Sequence, residues 1–263
     1  MAIEIDLSGR RAWVSGASSG IGLGVAELLA RAGCDVAGCS NDPENAAGPA
    51  NFHRVVQRQE RRAWYYSVDL SHPDGPARWA QHAAEHTGGV DILVSNAGQN
   101  FFRGVQACTE KDWSECMNLD LASHWRLAKA AHVYLSKGQS PVMIIIGSNH
   151  AYSTIPGCFP YNVAKAGLVA MVQSLAIEWG PAIRAVGIAP GFIDTPGNDK
   201  WFASFSDAAA ERARTERSHP VNRIGSSHEI AGLCAFLASP WAAFISGSTI
   251  LVDGGRSALM QIS

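Results

Sequence analysis

Ser15-Gly16-Ala17-Ser18-Ser19-Gly20-Ile21-Gly22 follows directly on the apolar run Arg11–Ser15 (RAWVS), and the fold is read from this stretch. An apolar run, a glycine-rich turn and then helical periodicity from Ile21 to about Ala32 spell strand, tight connection, helix. The glycines let the chain turn sharply and let a large anionic ligand approach the backbone. The helix that follows aims its free N–H groups and positive dipole end at such a ligand, a pyrophosphate being the natural one. The spacing is G-x-x-x-G-x-G, not the G-x-G-x-x-G of the common dinucleotide fingerprint. Taken alone, the same turn also serves as a plain strand-to-helix connection that binds nothing.

Outward from this turn, short apolar runs alternate with longer amphipathic stretches. Cys34–Cys39, Trp64–Val68, Val90–Ser95, Val142–Ile146, Ile183–Ala189 and Thr249–Val252 read as further strands. Helical periodicity covers roughly Gly75–His86, Glu110–Ser136, Asn162–Trp179 and His228–Ala238, with Gly180-Pro181 as a stop signal. Strand-helix alternation with continuously apolar strands predicts an α/β fold: a doubly wound, Rossmann-type parallel sheet of about seven strands, with helices on both faces. Neither an internal repeat nor a composition shift marks a boundary, so residues 1–263 are expected to form a single domain. Pro190–Pro220 is the one long irregular stretch and is a candidate substrate lid, about residues 190–220.

Composition agrees with a large core. Hydrophobic residues make up 47% of the 263 residues and charged residues 17%, with a formal net charge of −2. The densest basic stretch, Arg54 to Arg62, also contains Glu60 and aromatic neighbours, which reads as a solvated helix face and not a nucleic-acid surface. No run of ~18 apolar residues appears, so no membrane-spanning helix is expected. Glu4 and Asp6 stand near the N-terminus where a secretory signal wants positive charge, making the cytoplasm the default location. The six cysteines form no C-x-x-C pair and read as free thiols. His82 and His86 have i, i+4 spacing without an H-E-x-x-H context; they read as exposed helix residues, and no metal site is expected.

Tyr161-Asn162-Val163-Ala164-Lys165 opens a helix, and the spacing of four sets Tyr161 and Lys165 on one face, one turn apart. A free phenol titrates near ~10, too high for a base at neutral pH, and a neighbouring cation favours the phenolate. Tyr161 is thereby a candidate for exchanging a proton with a substrate oxygen. By itself the pair is more often a solvated helix face. Its setting changes that reading: Ser148 follows the fifth strand, Ser95-Asn96-Ala97-Gly98 closes the fourth, and Asn118 lies between them. In an open parallel sheet, ligands bind at the carboxyl ends of the strands, where these polar sites converge.

The choice between NAD and NADP normally falls at the end of the second strand, ~20 residues on, where an acid holds the ribose 2′-hydroxyl. Ser40 and Asn41 stand there, followed by Asp42 and Pro43. Neither the repelling acid nor the welcoming arginine is present. Small polar side chains can bond a phosphate, so the sequence leans slightly to NADP, with Asp42 pulling toward NAD.

Together these residues resemble the classical short-chain dehydrogenase/reductase family, over essentially the whole chain from Ser15 to Gly255 and in family order. SGASSGIG resembles the family's T-G-x-x-x-G-x-G with Ser15 in place of threonine, and SNAG its N-N-A-G with Ser95 in place of asparagine. The resemblance implies a catalytic set of Asn118, Ser148, Tyr161 and Lys165. It implies NAD(P) held by Gly16, Ser18, Ser19, Gly20, Ile21, Gly22, Ser40, Asn41, Asp69, Asn96, Ala97, Gly98, Tyr161, Lys165, Pro190, Gly191, Ile193 and Thr195. In that reading Tyr161 gives or takes the proton and Ser148 holds the substrate oxygen. Lys165 binds the nicotinamide ribose, and Asn118 holds a water that links Lys165 to solvent. Family members commonly form homotetramers through helices that here span about Thr109–Ser136 and Tyr161–Trp179, and a tetramer is expected.

Ser148, His150, Tyr161, Phe192 and Trp201 are the expected substrate contacts. The expected partner is a small secondary alcohol or ketone, sugar-like by the mix of aromatics with Asn198, Asp199 and Lys200 in the lid and by a C-terminal stretch, His219 to Ser257, that resembles bacterial sugar and polyol dehydrogenases of the family. A 3-oxoacyl thioester reductase is the alternative enzyme, which basic residues at the pocket entrance would distinguish. A non-catalytic cofactor-sensing scaffold is the alternative of another class, though such proteins usually lose the Tyr or the Lys.

Overall fold

Alternate residues of the first strand serve different cores. In β1 (Arg11–Ser15), Ala12 and Val14 face one side of the sheet and Trp13 the other, all fully buried. A strand buried on both faces belongs in the middle of a parallel sheet, and there it lies. The computed structural model describes residues 4–260.

In chain order, β1 leads to α1 (Gly20–Arg31), β2 (Asp35–Ser40), α2 (Ala47–Gln57), β3 (Ala63–Ser67), α3 (Gly75–Thr87) and β4 (Ile92–Ser95). Then come α4 (Glu110–Met117), a π turn at Asn118–Ala122, α5 (Ser123–Leu135), β5 (Val142–Ile146), α6 (Tyr161–Trp179) and β6 (Arg184–Pro190). The chain continues through β7 (Ile193–Asp194), α7 (Pro196–Phe202), α8 (Ala208–Arg217), β8 (Gly225–Ser226), α9 (Ser227–Ala238) and β9 (Thr249–Val252). Seven strands form one parallel sheet in the order β3-β2-β1-β4-β5-β6-β9, with β7 and β8 in a separate short pair. The order reverses between β1 and β4, which opens a crevice at their carboxyl ends.

One face of the sheet packs Val25, Leu29, Phe52, Ile230 and Leu237 of α1, α2 and α9 against Val14, Val94 and Ile144. The other packs Trp79, Leu127, Leu168 and Val172 of α3, α5 and α6 against Trp13, Leu93 and Met143. At the opposite, amino-terminal edge, Asp91 is buried. It accepts from the Arg11 backbone N–H at 2.8 Å, from the Arg11 guanidinium at 3.0 and 2.9 Å, and from the Gln139 N–H at 2.6 Å. These bonds outweigh the effect of burial and hold the Asp91 carboxyl below its ordinary value.

Three expectations need correction. The helix Ala47–Gln57 was not foreseen, because Gly48 and Pro49 disguise its first turn; Pro is tolerated there since the first-turn N–H has no helical partner. Pro190–Pro220 is not irregular: it carries α7 and α8, each opened by a side-chain cap, Thr195 on the Asn198 N–H and Asp207 on the Ala210 N–H. Glu110–Ser136 is not one regular helix, because the π turn interrupts it at Asn118.

Candidate active site

The parallel topology delivers the carboxyl ends of β1, β2, β4, β5 and β6 to one edge, and the loops there meet closely. Gly16 and Gly20 have positive φ, +67° and +54°, in the turn between β1 and α1. The Ser15 hydroxyl accepts from the Asn96 and Ala97 N–H groups at 2.8 and 3.0 Å. The Asn96 amide donates back to the Ser15 carbonyl at 3.0 Å, so the turn after β1 and the turn after β4 are tied together. Ser15 in place of threonine and Ser95 in place of asparagine thus leave the tie intact.

The turn is close-packed. A Cβ on Gly22 would lie 2.1 Å from the Gly16 carbonyl oxygen, and one on Gly16 would lie 2.8 Å from the Asn96 amide nitrogen. A Cβ on Gly20 would meet the Thr195 methyl at 3.3 Å, which brings the loop after β6 against the same turn. Ser19, the N-cap of α1, makes no side-chain cap bond, and no acid stands in the first turn. The positive end of the helix is therefore open to an anion.

At the end of β2, Ser40 is buried and shares a hydrogen bond with the Tyr65 hydroxyl at 2.5 Å. Its oxygen also accepts from the Asp42 N–H at 3.0 Å. The Asp42 carboxylate and Ser18 both border Gly48, each 2.7 Å from where a Cβ would stand. Asn41 is exposed, as are Arg54 and Arg58 on and beyond α2. Asp69 is exposed after β3, where its carboxylate accepts from the Ser71 N–H and hydroxyl at 2.8 and 2.7 Å.

Tyr161 and Lys165 occupy the first turns of α6, both buried, with the ammonium 5.2 Å from the phenol ring centroid. Ser148, just past β5, is buried and lies close enough to the phenol to favour its ionisation. Burial is the larger influence and raises the Tyr161 phenol above its ordinary value; Lys165 and Ser148 work against this, and Asp120 works with it. The expectation that Lys165 favours the phenolate holds as a contribution, but burial outweighs it. Asn118 opens the π turn, and its side-chain oxygen accepts from Arg126 at 3.1 Å.

His150 and Phe102 flank Tyr161, with ring centroids 6.1 and 5.4 Å away. Burial, followed by Arg256, pulls His150 down to about 4, so it is neutral at pH 7. Phe192 and Trp201 meet at a tilt with ring centroids 5.5 Å apart and join Phe202 and Phe205 in an aromatic cluster of their own. Pro190 and Ile193 are buried, and Gly191 abuts Asp253, which a Cβ would meet at 2.7 Å.

Three residues escaped the sequence reading. Phe102 lies in a loop without periodicity, joined to Pro160 by an isolated bridge, and carried no signal. Asp120 is fully buried, 3.0 Å from the Lys165 ammonium. His124 is buried and shares a hydrogen bond with the Ser95 hydroxyl at 2.7 Å. Both fall within the helical periodicity of Glu110–Ser136, three and seven residues after the apolar Met117. A polar residue on such a face is the signal that would have found them.

The family described as Enoyl-(Acyl carrier protein) reductase matches residues 16–257. A 3-oxoacyl-[acyl-carrier-protein] reductase of Vibrio cholerae is 33% identical over 252 residues, covering 95% of this chain and 98% of its own. The 2-dehydro-3-deoxy-D-gluconate 5-dehydrogenase of Escherichia coli is 31% identical over 252 residues, covering 95% and 96%. Among solved structures, an aldohexose dehydrogenase of Thermoplasma acidophilum superposes with a TM-score of 0.89 at 27% identity, covering 99% of both chains. The chain belongs to the classical short-chain dehydrogenase/reductase family. It is an oxidoreductase that moves a hydride between a nicotinamide cofactor and a CH–OH or keto group.

Proposed function

We propose that the chain interconverts a small polar or sugar-like secondary alcohol and its ketone, with Tyr161 exchanging the proton on the substrate oxygen. The observation that carries this reading is the buried group of Tyr161, Lys165 and Ser148 at the mouth of the glycine cradle, flanked by Phe102 and His150. The cradle fits a dinucleotide: its glycines leave the backbone bare where a Cβ on Gly16 or Gly22 would collide, and the helix end behind it has neither cap bond nor acid.

Gly16, Ser18, Ser19, Gly20, Ile21 and Gly22 hold the phosphates and neighbouring ribose, and Asp69, Asn96, Ala97 and Gly98 line the adenosine side and the floor. Tyr161 and Lys165 hold the nicotinamide ribose, and Pro190, Gly191, Ile193 and Thr195 hold the nicotinamide amide. When bound, the cofactor supplies the hydride chemistry. The chain's own part is position and proton traffic. Ser148 hydrogen-bonds the substrate oxygen; Tyr161 gives it a proton in reduction and takes one in oxidation; Asn118 serves the Lys165 side of the relay. Neutral His150 and Phe102 shape the substrate pocket, with Phe192 and Trp201 closing from the segment about 190–220.

At the ribose end, the charge balance supports NAD over the NADP to which the sequence leaned. The Ser40 hydroxyl is engaged by Tyr65 and by the Asp42 N–H, Asp42 adds a negative charge beside Ser18, and Arg54 and Arg58 are directed to solvent on the outer helix. A 2′-phosphate would meet repulsion there without a compensating cation.

A 3-oxoacyl thioester reductase is favoured by the 33% identity with the Vibrio enzyme. Against it, the basic residues of the lid are largely neutralised. Arg212 pairs with Asp194 and Asp199, and Arg214 with Glu211, leaving Lys200 and Arg217 without ion pairs among the described residues. An acidic acyl carrier would find little to bind. The retained Tyr161 and Lys165 speak equally against a non-catalytic scaffold. A homotetramer in the cytoplasm completes the reading; exposed Trp125, Val133 and Ile177 on the two expected interface helices support the assembly.

A panel of sugars, polyols, ketones and acyl thioesters with NADH and NADPH identifies the substrate. Tyr161→Phe is then expected to lower turnover about 10²–10⁴-fold with cofactor affinity retained. Near-normal turnover would sink the catalytic assignment.

A further inference from the structure

Lys165 is 3% exposed and Asp120 is 0% exposed. Their ammonium and carboxylate oxygen Oδ1 lie 3.0 Å apart. The Gln99 N–H donates to the same oxygen at 3.2 Å, and Gly98 packs so tightly that a Cβ there would lie 2.6 Å from Oδ1 and 3.2 Å from the Lys165 nitrogen. Oδ2 is buried with no hydrogen-bond partner among the described residues. The π turn at Asn118–Ala122 carries Asp120; such an extra residue in a helix turn re-aims side chains and is found frequently at functional sites.

The other titratable groups around the pair are neutral. Cys116 of α4 is pushed up to about 12 by burial, Cys158 is raised by burial, and His124 of α5 is pulled down to about 3 by burial and by Lys165. Tyr161 faces Lys165 from the same helix, and Ser148 does not titrate in this range. Burial raises the Asp120 carboxyl above its ordinary value, while Lys165 and the Gln99 N–H pull it back toward the ionised form. Among the described residues, Asp120 is thus the one carboxylate in contact with Lys165.

We propose that Asp120 is the counterion of Lys165, a positioning residue that holds the ammonium at the cofactor edge and sets the pH at which the Tyr161 proton leaves. An ammonium buried alone would tend to lose its proton, because burial disfavours the charged form. Asp120 prevents that, and its carboxylate also offsets the field that Lys165 exerts on the phenol. The two ionisations are coupled, so the first proton to leave belongs to the pair. Whichever group releases it, removing a fixed negative charge lowers the pH of release. The alcohol-oxidising direction, which needs Tyr161 as a base, is therefore displaced toward higher pH by Asp120.

This inference rests on the Tyr161 reading above, and its test is independent of any substrate. The phenolate absorbance of the full chain is titrated against Tyr161→Phe as blank, and the same is done for Asp120→Asn against the double variant. The Asp120→Asn midpoint is expected about 1–3 pH units lower, while Asp120→Glu, which keeps the charge, restores the wild-type direction. An unchanged midpoint in a folded Asp120→Asn protein overturns the proposal, as does Asp120→Glu behaving like Asp120→Asn.

Should Asp120→Asn fail to fold, the thermal melt of Asp120→Asn/Lys165→Met decides. A true counterion pair requires the double variant to fold and to melt above Lys165→Met, and a double variant that fails to fold or melts no higher than Lys165→Met overturns the proposal. Full turnover in Tyr161→Phe would sink the proton-donor reading and leave the pairing result standing.

Discussion

Replacing Gly22 by alanine tests how the cofactor cradle is built. The new methyl carbon would stand 2.1 Å from the Gly16 carbonyl oxygen, 2.7 Å from the Asn96 amide nitrogen and 2.8 Å from the Gly16 carbonyl carbon. Side-chain carbons do not approach closer than 3.0 Å, so the turn and the first turn of α1 must separate by at least about 0.9 Å. The obstacle is backbone, which no rotamer change relieves. Overpacking of this kind costs about 1–3 kcal/mol. At roughly 2–4 °C per kcal/mol for a chain of this size, the melting temperature falls by roughly 2–12 °C.

The functional loss is expected to exceed the structural one. The displaced atoms are the ones proposed to meet the phosphates, and the Asn96 amide that ties the two turns is displaced with them. A misplacement near ~1 Å costs on the order of 10²-fold where geometry is decisive, so NADH affinity should weaken at least about tenfold. Fluorescence titration with NADH beside a thermal melt measures both. A Gly22→Ala protein that binds NADH within about twofold of wild type would refute the claim that this turn is shaped for the dinucleotide.

Asp91→Ala is expected to destabilise the chain by about 3–5 kcal/mol, since it strands the half-buried Arg11 partner at the edge remote from the site; a shift in denaturation midpoint within noise would contradict this. The Asp91 carboxyl is held below its ordinary value, so its stabilisation is present above the unfolded carboxyl value of ~3.9 and is lost as pH falls through the folded one. Asp91→Asn should therefore flatten the loss of stability on acidification below about pH 4, measured as denaturant midpoint against pH. At the ribose end, wild type should bind NADH more tightly than NADPH, and Asp42→Asn should narrow that gap by about tenfold. Tighter NADPH binding by wild type would overturn the NAD assignment.

Much of the architecture was legible because it follows from local chemistry. Apolar runs of four to seven residues separated by amphipathic stretches leave few options but a parallel sheet covered on both faces, and all seven strands were found within a residue or two of their observed ends. The turn Ser15–Gly22 was legible because only glycine tolerates its positive φ and its close approaches. Tyr161 and Lys165 were legible because a helix sets residues four apart on one face. The helix at Ala47–Gln57 was missed where proline and glycine in its first turn mask helical preference. The helix Pro196–Phe202 was missed where proline and glycine open it and Asn198, Asp199 and Lys200 follow, and Ala208–Arg217 was missed because it carries no apolar stripe of large residues.

The sequence by itself determined the order of the elements, the glycine-rich turn after β1 and the pair on α6, since each depends on neighbours in the chain. Only the tertiary structure decided that Asp120 meets Lys165, that Ser40 is taken by Tyr65, and that Phe102 and His150 stand beside Tyr161. Those contacts join residues 11 to 59 positions apart, and they arise from the parallel topology, which no periodicity records. The balance of the phenol's ionisation belongs with them. Burial depends on everything that surrounds a group, and so it appears only when the whole chain has folded.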